Sequence, residues 1–131
     1  GSGRVDWPAM REATAALIAA YDVRGAAPST VAAALSGGNQ QKFVVGRAIA
    51  TAPSALVIES PSRGLDVRAT AAIHETLRAQ RAAGMAIAIS SPDLDELLAL
   101  ADRIVVCHAG SVREVPRDVD AIGRAMVGAA A

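Results

Sequence analysis

Apolar residues fall at three- and four-residue spacing in some stretches and in short unbroken runs in others. That alternation predicts helices interleaved with strands. The first helix is expected from about Pro8 to Tyr21, with Met10, Ala13, Leu17, Ile18 and Tyr21 on one stripe. Gly25 and Pro28 mark the loop that follows. A second helix opens after Ser36-Gly37-Gly38 and runs to about Thr51; Phe43, Val44, Val45, Ala48 and Ile49 make it apolar on most sides, so it is expected to be largely buried. Ala55-Leu56-Val57-Ile58 is a continuous apolar run, the pattern of a strand covered on both faces. A third helix spans about Val67–Ala83, inward at Ala69, Ile73 and Leu77 and stopped by Gly84.

Met85–Ile89 reads as a second strand, and a short helix follows from about Leu94 to Ala101. Ile104–His108 and Ser111–Val115 form a hairpin about Ala109-Gly110. Asp118 caps a last helix through Met126, with Val119, Ile122 and Met126 inward. The order, with strands between helices, predicts an α/β fold whose sheet is mostly parallel and covered by helices on both faces.

Composition narrows the function. The chain has 131 residues, enough for one modest core, with 52% hydrophobic types but only 2% aromatic. That core must therefore be closely packed from small side chains. Thirteen basic residues balance thirteen acidic ones, which argues against a nucleic-acid partner. No apolar run is long enough to span a membrane, and no signal peptide is read ahead of the first helix. Gly1-Ser2-Gly3 reads as a cloning scar. The single cysteine, Cys107, lies in a β-like run and is expected to be a core thiol; the lack of a disulfide framework suits a reducing compartment. His74 and His108 are far apart, without ligand-like spacing, and no zinc site is expected.

The sharpest segment is Leu35-Ser36-Gly37-Gly38-Asn39-Gln40-Gln41-Lys42. Ser36 is a good N-cap, the two glycines admit close approach, and the helix amino end presents unbonded N–H groups suited to phosphate. A glycine-rich cap without a ligand would use the same residues. The whole string, however, resembles the signature motif of ATP-binding cassette (ABC) ATPases, and its Asn-Gln-Gln-Lys ending resembles the branch that imports simple sugars and nucleosides. Ala55–Asp66 is similar to the Walker B strand and D-loop, and Arg63-Gly64-Leu65-Asp66-Val67 to the second cassette of that branch's tandem proteins. Leu94-Asp95-Glu96 with Ala101-Asp102-Arg103-Ile104 resembles the segment after the switch loop, and Cys107-His108-Ala109-Gly110 the terminal hairpin. The likeness runs from roughly Ala9 to Val115.

The resemblance implies a partial P-loop NTPase fold, with a helical signature region over residues 4–54, the later half of an ATPase core over 55–115 and a terminal helical segment over 116–131. It also implies an ATP sandwich in which Ser36, Gly37, Gly38 and Asn39 meet ATP held by a second cassette and Asp66 reaches across the interface. ATP and Mg²⁺ belong to that full assembly. The partners implied are a nucleotide-binding cassette, a membrane permease and an extracellular solute-binding protein, with the chain peripheral at the cytoplasmic membrane face.

Three departures bear on catalysis. The pattern Gly-x-x-x-x-Gly-Lys-Ser/Thr is absent, so tight binding of ATP by this chain alone is not expected. The Walker B place reads Glu59-Ser60-Pro61-Ser62: Glu59 takes the water-mediated Mg²⁺ position, where an ordinary solvated carboxylate would look the same, and Ser60 stands where a general base is required. Pro92 occupies the place of the switch histidine. The chain therefore reads as half of a cassette whose own site has degenerated and whose signature serves another, inactive as an ATPase by itself. A missing central strand would leave a slot between Met85–Ile89 and Ile104–His108, resolved by pairing of those two strands or by a homodimer. The rival readings are a standalone non-catalytic interaction module and an ABC ATPase acting on DNA or ribosomes; the neutral charge and the Asn39–Lys42 ending disfavour the latter.

Overall fold

The computed structural model describes residues 4–128, so the Gly1–Gly3 segment lies outside the described residues. Helix α1 (Trp7–Ala20) starts at Asp6, whose carboxylate accepts the Ala9 N–H, and carries Pro8 in its first turn. After a 3₁₀ turn at Ala32–Ala34 come α2 (Gly37–Ala50), β1 (Ala55–Glu59), α3 (Val67–Ala82), β2 (Ala86–Ser90) and α4 (Leu94–Leu100). The hairpin β3 (Ile104–His108) and β4 (Ser111–Val115) and helix α5 (Val119–Met126) complete the chain.

Two small cores organise these elements. Val45 and Ile49 of α2, Ile73 and Leu77 of α3 and Leu100 of α4 form the first, under Leu56, Ile58, Ile87 and Ile89 of β1 and β2. The inward face of α3 is Ala69, Ile73 and Leu77, as the three-four spacing requires. The second core joins Ile104 and Val106 of β3 to Ile122 and Ala125 of α5. Gly84, at φ +96°, turns the chain out of α3 towards β2.

The sheet is divided. β1 and β2 pair in parallel, Leu56 opposite Ile87 and Ile58 opposite Ile89. β3 and β4 pair antiparallel, Val106 opposite Arg113. Ile104–His108 does not pair with β2, so the expected strand rearrangement does not occur. Between them lies a groove of about 580 Å³, with Met85–Ile89 on one wall, Arg103–Val105 on the other and Leu77, Leu97 and Leu100 beneath.

Coverage on both faces is also corrected. Along β1 and β2 half-buried residues alternate with exposed ones, and Val57 is 83% exposed. Helices cover one face; no other part of the described chain reaches the second. For the same reason Cys107 is exposed rather than a core thiol: it points to the side of β3 opposite Ile104 and Val106. In α2, Val44 is exposed because only the Val45–Ile49 stripe meets α3. Met10 is exposed, since α1 touches the body mainly through its carboxy-terminal end. Val119 and Met126 face solvent, because a helix this short sets only Ile122 and Ala125 against the hairpin.

Candidate functional site

The first cluster of the candidate site is the amino end of α2. Ser36 is its N-cap, extended at ψ 154°, and its Oγ accepts from the Asn39 N–H at 3.4 Å and from Asn39 Nδ2 at 3.0 Å. Asn39 Oδ1 accepts the Arg24 N–H at 2.9 Å. Gln40 Nε2 donates to the Leu35 carbonyl at 2.9 Å, and Lys42 Nζ donates to the Asp22 carbonyl at 3.0 Å. The polar side chains of the motif therefore brace the preceding loops. Burial raises the Asp22 carboxyl, but the charges and hydrogen bonds of Arg24 and Lys42 together outweigh it and leave the group below its ordinary value.

The two glycines differ. A Cβ on Gly38 would lie 2.9 Å from the Ala69 Cβ, so glycine there lets α2 close on α3. A Cβ on Gly37 would meet nothing within 4 Å, and its φ is not positive. Neither packing nor backbone conformation in this chain asks for glycine at that position. Gly123 in α5 is a similar case, but it belongs to no motif. The N–H groups of the first helical turn have no intrahelical acceptor, so the open side of Gly37 presents donors and the positive end of the helix dipole.

The contact between Gly38 and Ala69 also places Asp66 beside this cluster. Asp66 caps α3, its carboxylate accepting the Ala69 N–H at 2.8 Å. The capping role is thus present, and the exposed carboxylate sits at the amino end of the helix that abuts the signature.

The second cluster lies at the ends of β1 and β2. Exposed Glu59 is opposite Ser90, and the Ser60 N–H donates to the Ser90 carbonyl at 2.7 Å. Ser60 adopts a left-handed φ of +45°, a conformation that disfavours a side chain. Pro92 is exposed two residues beyond Ser90. Glu59 is a single carboxylate: among the described residues no three His, Cys, Asp or Glu side chains gather to hold a metal. Mg²⁺ coordination by this cluster would need oxygens from elsewhere.

Glu96 joins the loop from the second cluster to Asp66, and sequence reasoning gave it no role. The residue is buried at 4% exposure. It accepts from the Ser62 N–H at 3.1 Å and from the Ser62 hydroxyl, and its Oε1 is 3.3 Å from His74 Nε2. Burial pushes its carboxyl up, but hydrogen bonds from Ser62, Ser91 and His74 outweigh that and leave it below its ordinary value near 4.5. A carboxylate depressed on folding stabilises the fold above its unfolded pKa, and that contribution is lost as pH falls through the folded pKa. In chemical denaturation, the stability gap between wild type and Glu96→Gln should be full at neutral pH and shrink below about pH 4.5. A gap constant down to pH 3 would contradict the charged state assigned to Glu96. The signal missed in the sequence is an acidic residue on the inward side of α4, three residues after its Asp93 N-cap.

No family model matches the chain. It is 42% identical to the glucose import ATP-binding protein TsgD13 of Haloferax volcanii over 98% of its length, covering 24% of that protein. It is 45% identical over 79% of its length to the guanosine import ATP-binding protein NupO of Bacillus subtilis, covering 20% of it. Among solved structures, the ATP-binding cassette MJ0796, dimeric and bound to ADP and Pi, superposes with a TM-score of 0.69 at 20% identity, over 90% of this chain and 51% of that one. The cassette MJ1267 gives 0.69 at 22% identity, over 97% of this chain and 50% of that one. The chain thus spans about a quarter of these curated relatives and about half of a solved cassette.

Proposed function

We propose, from the premise that this chain is the carboxy-terminal part of an ABC ATPase cassette of the sugar and nucleoside import kind, that it completes an ATP site held by a partner cassette. The observation that carries this reading is Gly37: a glycine the fold does not require, at a helix amino end, inside the signature string. Ser36, Gly37 and Gly38 would offer N–H and hydroxyl donors to a terminal phosphate, Asn39 would hold their loop in place, and Asp66 would stand at the same interface. The dimeric state of MJ0796 supports a paired arrangement. A chain that is half of one cassette and a quarter of its relatives also fits relatives two cassettes long, with this piece in the second.

The chain's own site does not fit autonomous nucleotide chemistry. No phosphate loop is present, Ser60 cannot take a proton from water at neutral pH, and Pro92 offers no imidazole. In the assembly, the ATP and Mg²⁺ served by this signature would rest on the partner's phosphate loop, while Glu59 belongs to the chain's own degenerate cluster, where it would be at most a water-mediated Mg²⁺ ligand. The native task would be to energise sugar or nucleoside uptake with a permease and an external binding protein, at the cytoplasmic face of the membrane. Among the described residues no helix is long and apolar enough to cross a membrane. Calorimetric titration of this chain with ATP, with and without Mg²⁺, tests the division of labour. Dissociation in the millimolar range or weaker is expected; micromolar binding would overturn it.

Isolated copies would also close their open sheet edges against one another. Light scattering at rising concentration should show a dimer; a monomer throughout would remove this part of the reading.

A further inference from the structure

We infer that Glu96 is a positioning residue: it ties the Ser60–Asp66 loop to the turn bearing Ser91 and Pro92, and so sets where Asp66 and the signature glycines stand. This rests on the reading that those groups serve a partner's ATP. Two segments distant in sequence converge on one buried carboxylate, and its own backbone is fastened to a third. Ser62 donates its N–H and hydroxyl from the loop after β1 and His74 approaches from α3, while the Glu96 N–H donates to Asp93 Oδ1 and the Asp93 N–H donates to Ser91 Oγ in the turn after β2.

The chain continues from Ser62 to Asp66, which caps α3, and the first turn of α3 abuts Gly38. A shift of Ser62 is therefore passed along a short loop to both groups proposed to meet ATP. At the other end, Ser91 adjoins Ser90, whose carbonyl accepts the Ser60 N–H. One side chain thus links the degenerate cluster of this cassette to the site it would complete.

A buried carboxylate is a costly means of filling space. An apolar side chain of similar size would pack without desolvating a charge. What the carboxylate supplies is fixed, directional attachment of the loop and of α3 to one point. No buried polar side-chain atom among the described residues lacks a hydrogen-bond partner, so the arrangement is complete as it stands.

The test uses the assembled transporter that contains this sequence. Glu96→Gln and the milder Ser62→Ala, which leaves the Ser62 N–H in place, are compared with wild type. The measurements are kcat and KM for ATP, melting temperature, and amide exchange over residues 60–70. Expected are a KM within about twofold, a kcat lowered about tenfold and faster exchange over 60–70, with Glu96→Asp restoring part of the rate. An unchanged kcat in both variants, or losses in kcat that simply track melting temperature, would overturn the inference. Exchange also separates this inference from the reading beneath it. If Gly37→Asp left turnover intact, the partner-site reading would fail; wild-type exchange over 60–70 in Glu96→Gln would instead overturn this inference alone.

Discussion

Gly37→Asp should leave this chain folded and cost the assembly it serves most of its ATP turnover. The first half of that expectation comes from packing. A side chain at Gly37 points into open space, the backbone there is not left-handed, and an acidic residue in a first helical turn interacts favourably with the dipole. The melting temperature should therefore match wild type or rise slightly. The second half comes from charge. If a terminal phosphate sits against this helix end, the new carboxylate stands about one contact distance from it. Two unit charges about 4 Å apart repel by about 4 kcal/mol at an effective dielectric of about 20, a factor on the order of 10³ in rate. ATPase assays on the reconstituted transporter, paired with calorimetry, would read both halves. Wild-type turnover in a folded variant would mean that no triphosphate uses this surface.

Gly38 could not serve the same test. A side chain there would collide with Ala69, and any loss of activity would be confounded with separation of α2 from α3. Adjacent glycines in one motif thus have different physical origins, one answering to the fold and the other to an occupant outside the chain. Sequence alone gave them the same role.

Much of the secondary structure was legible for reasons that are local. The hairpin Ile104–Val115 follows from the apolar run Ile104–Cys107 and the Ala109-Gly110 turn, where both residues adopt positive φ. The stripe Ala69, Ile73, Leu77 follows from spacing, and the Ser36, Asp66 and Asp118 caps from side-chain chemistry. What failed depended on partners that a periodicity cannot name. A continuous run such as Leu56-Val57-Ile58 reads as doubly covered because that is the usual reason for such a run, yet nothing among the described residues covers the second face. Cys107 likewise lies in an apolar run, yet it stands on the uncovered side of β3. The role of Glu96 is not legible from its motif because it lies in convergence: Ser62 and His74 are 34 and 22 residues away, and only folding brings them to one carboxylate.

The uncovered sheet face gives a second large effect and a contrast to read it by. Ile73, 1% exposed, sits in the core formed by α2, α3 and α4. Ile73→Ala should remove about 3 kcal/mol, from lost burial and the cavity left behind. For a domain of this size that corresponds to roughly 10 °C in melting temperature. Total stability is typically about 5–15 kcal/mol, and a chain covered on one side only belongs at the low end, so the variant should be substantially unfolded at 37 °C. Val57→Thr keeps the β-branched shape on the bare face and should cost less than about 0.5 kcal/mol in the monomer. The two variants together report on what covers that face. If Val57→Thr destabilises the isolated chain by 1 kcal/mol or more, a second copy already lies against it, and the cost should fade on dilution. If it is neutral in isolation but costly in the full protein, the cover comes from the remainder of the cassette. Urea denaturation at two protein concentrations, in both contexts, distinguishes these outcomes, because only an intermolecular cover makes the midpoint depend on concentration.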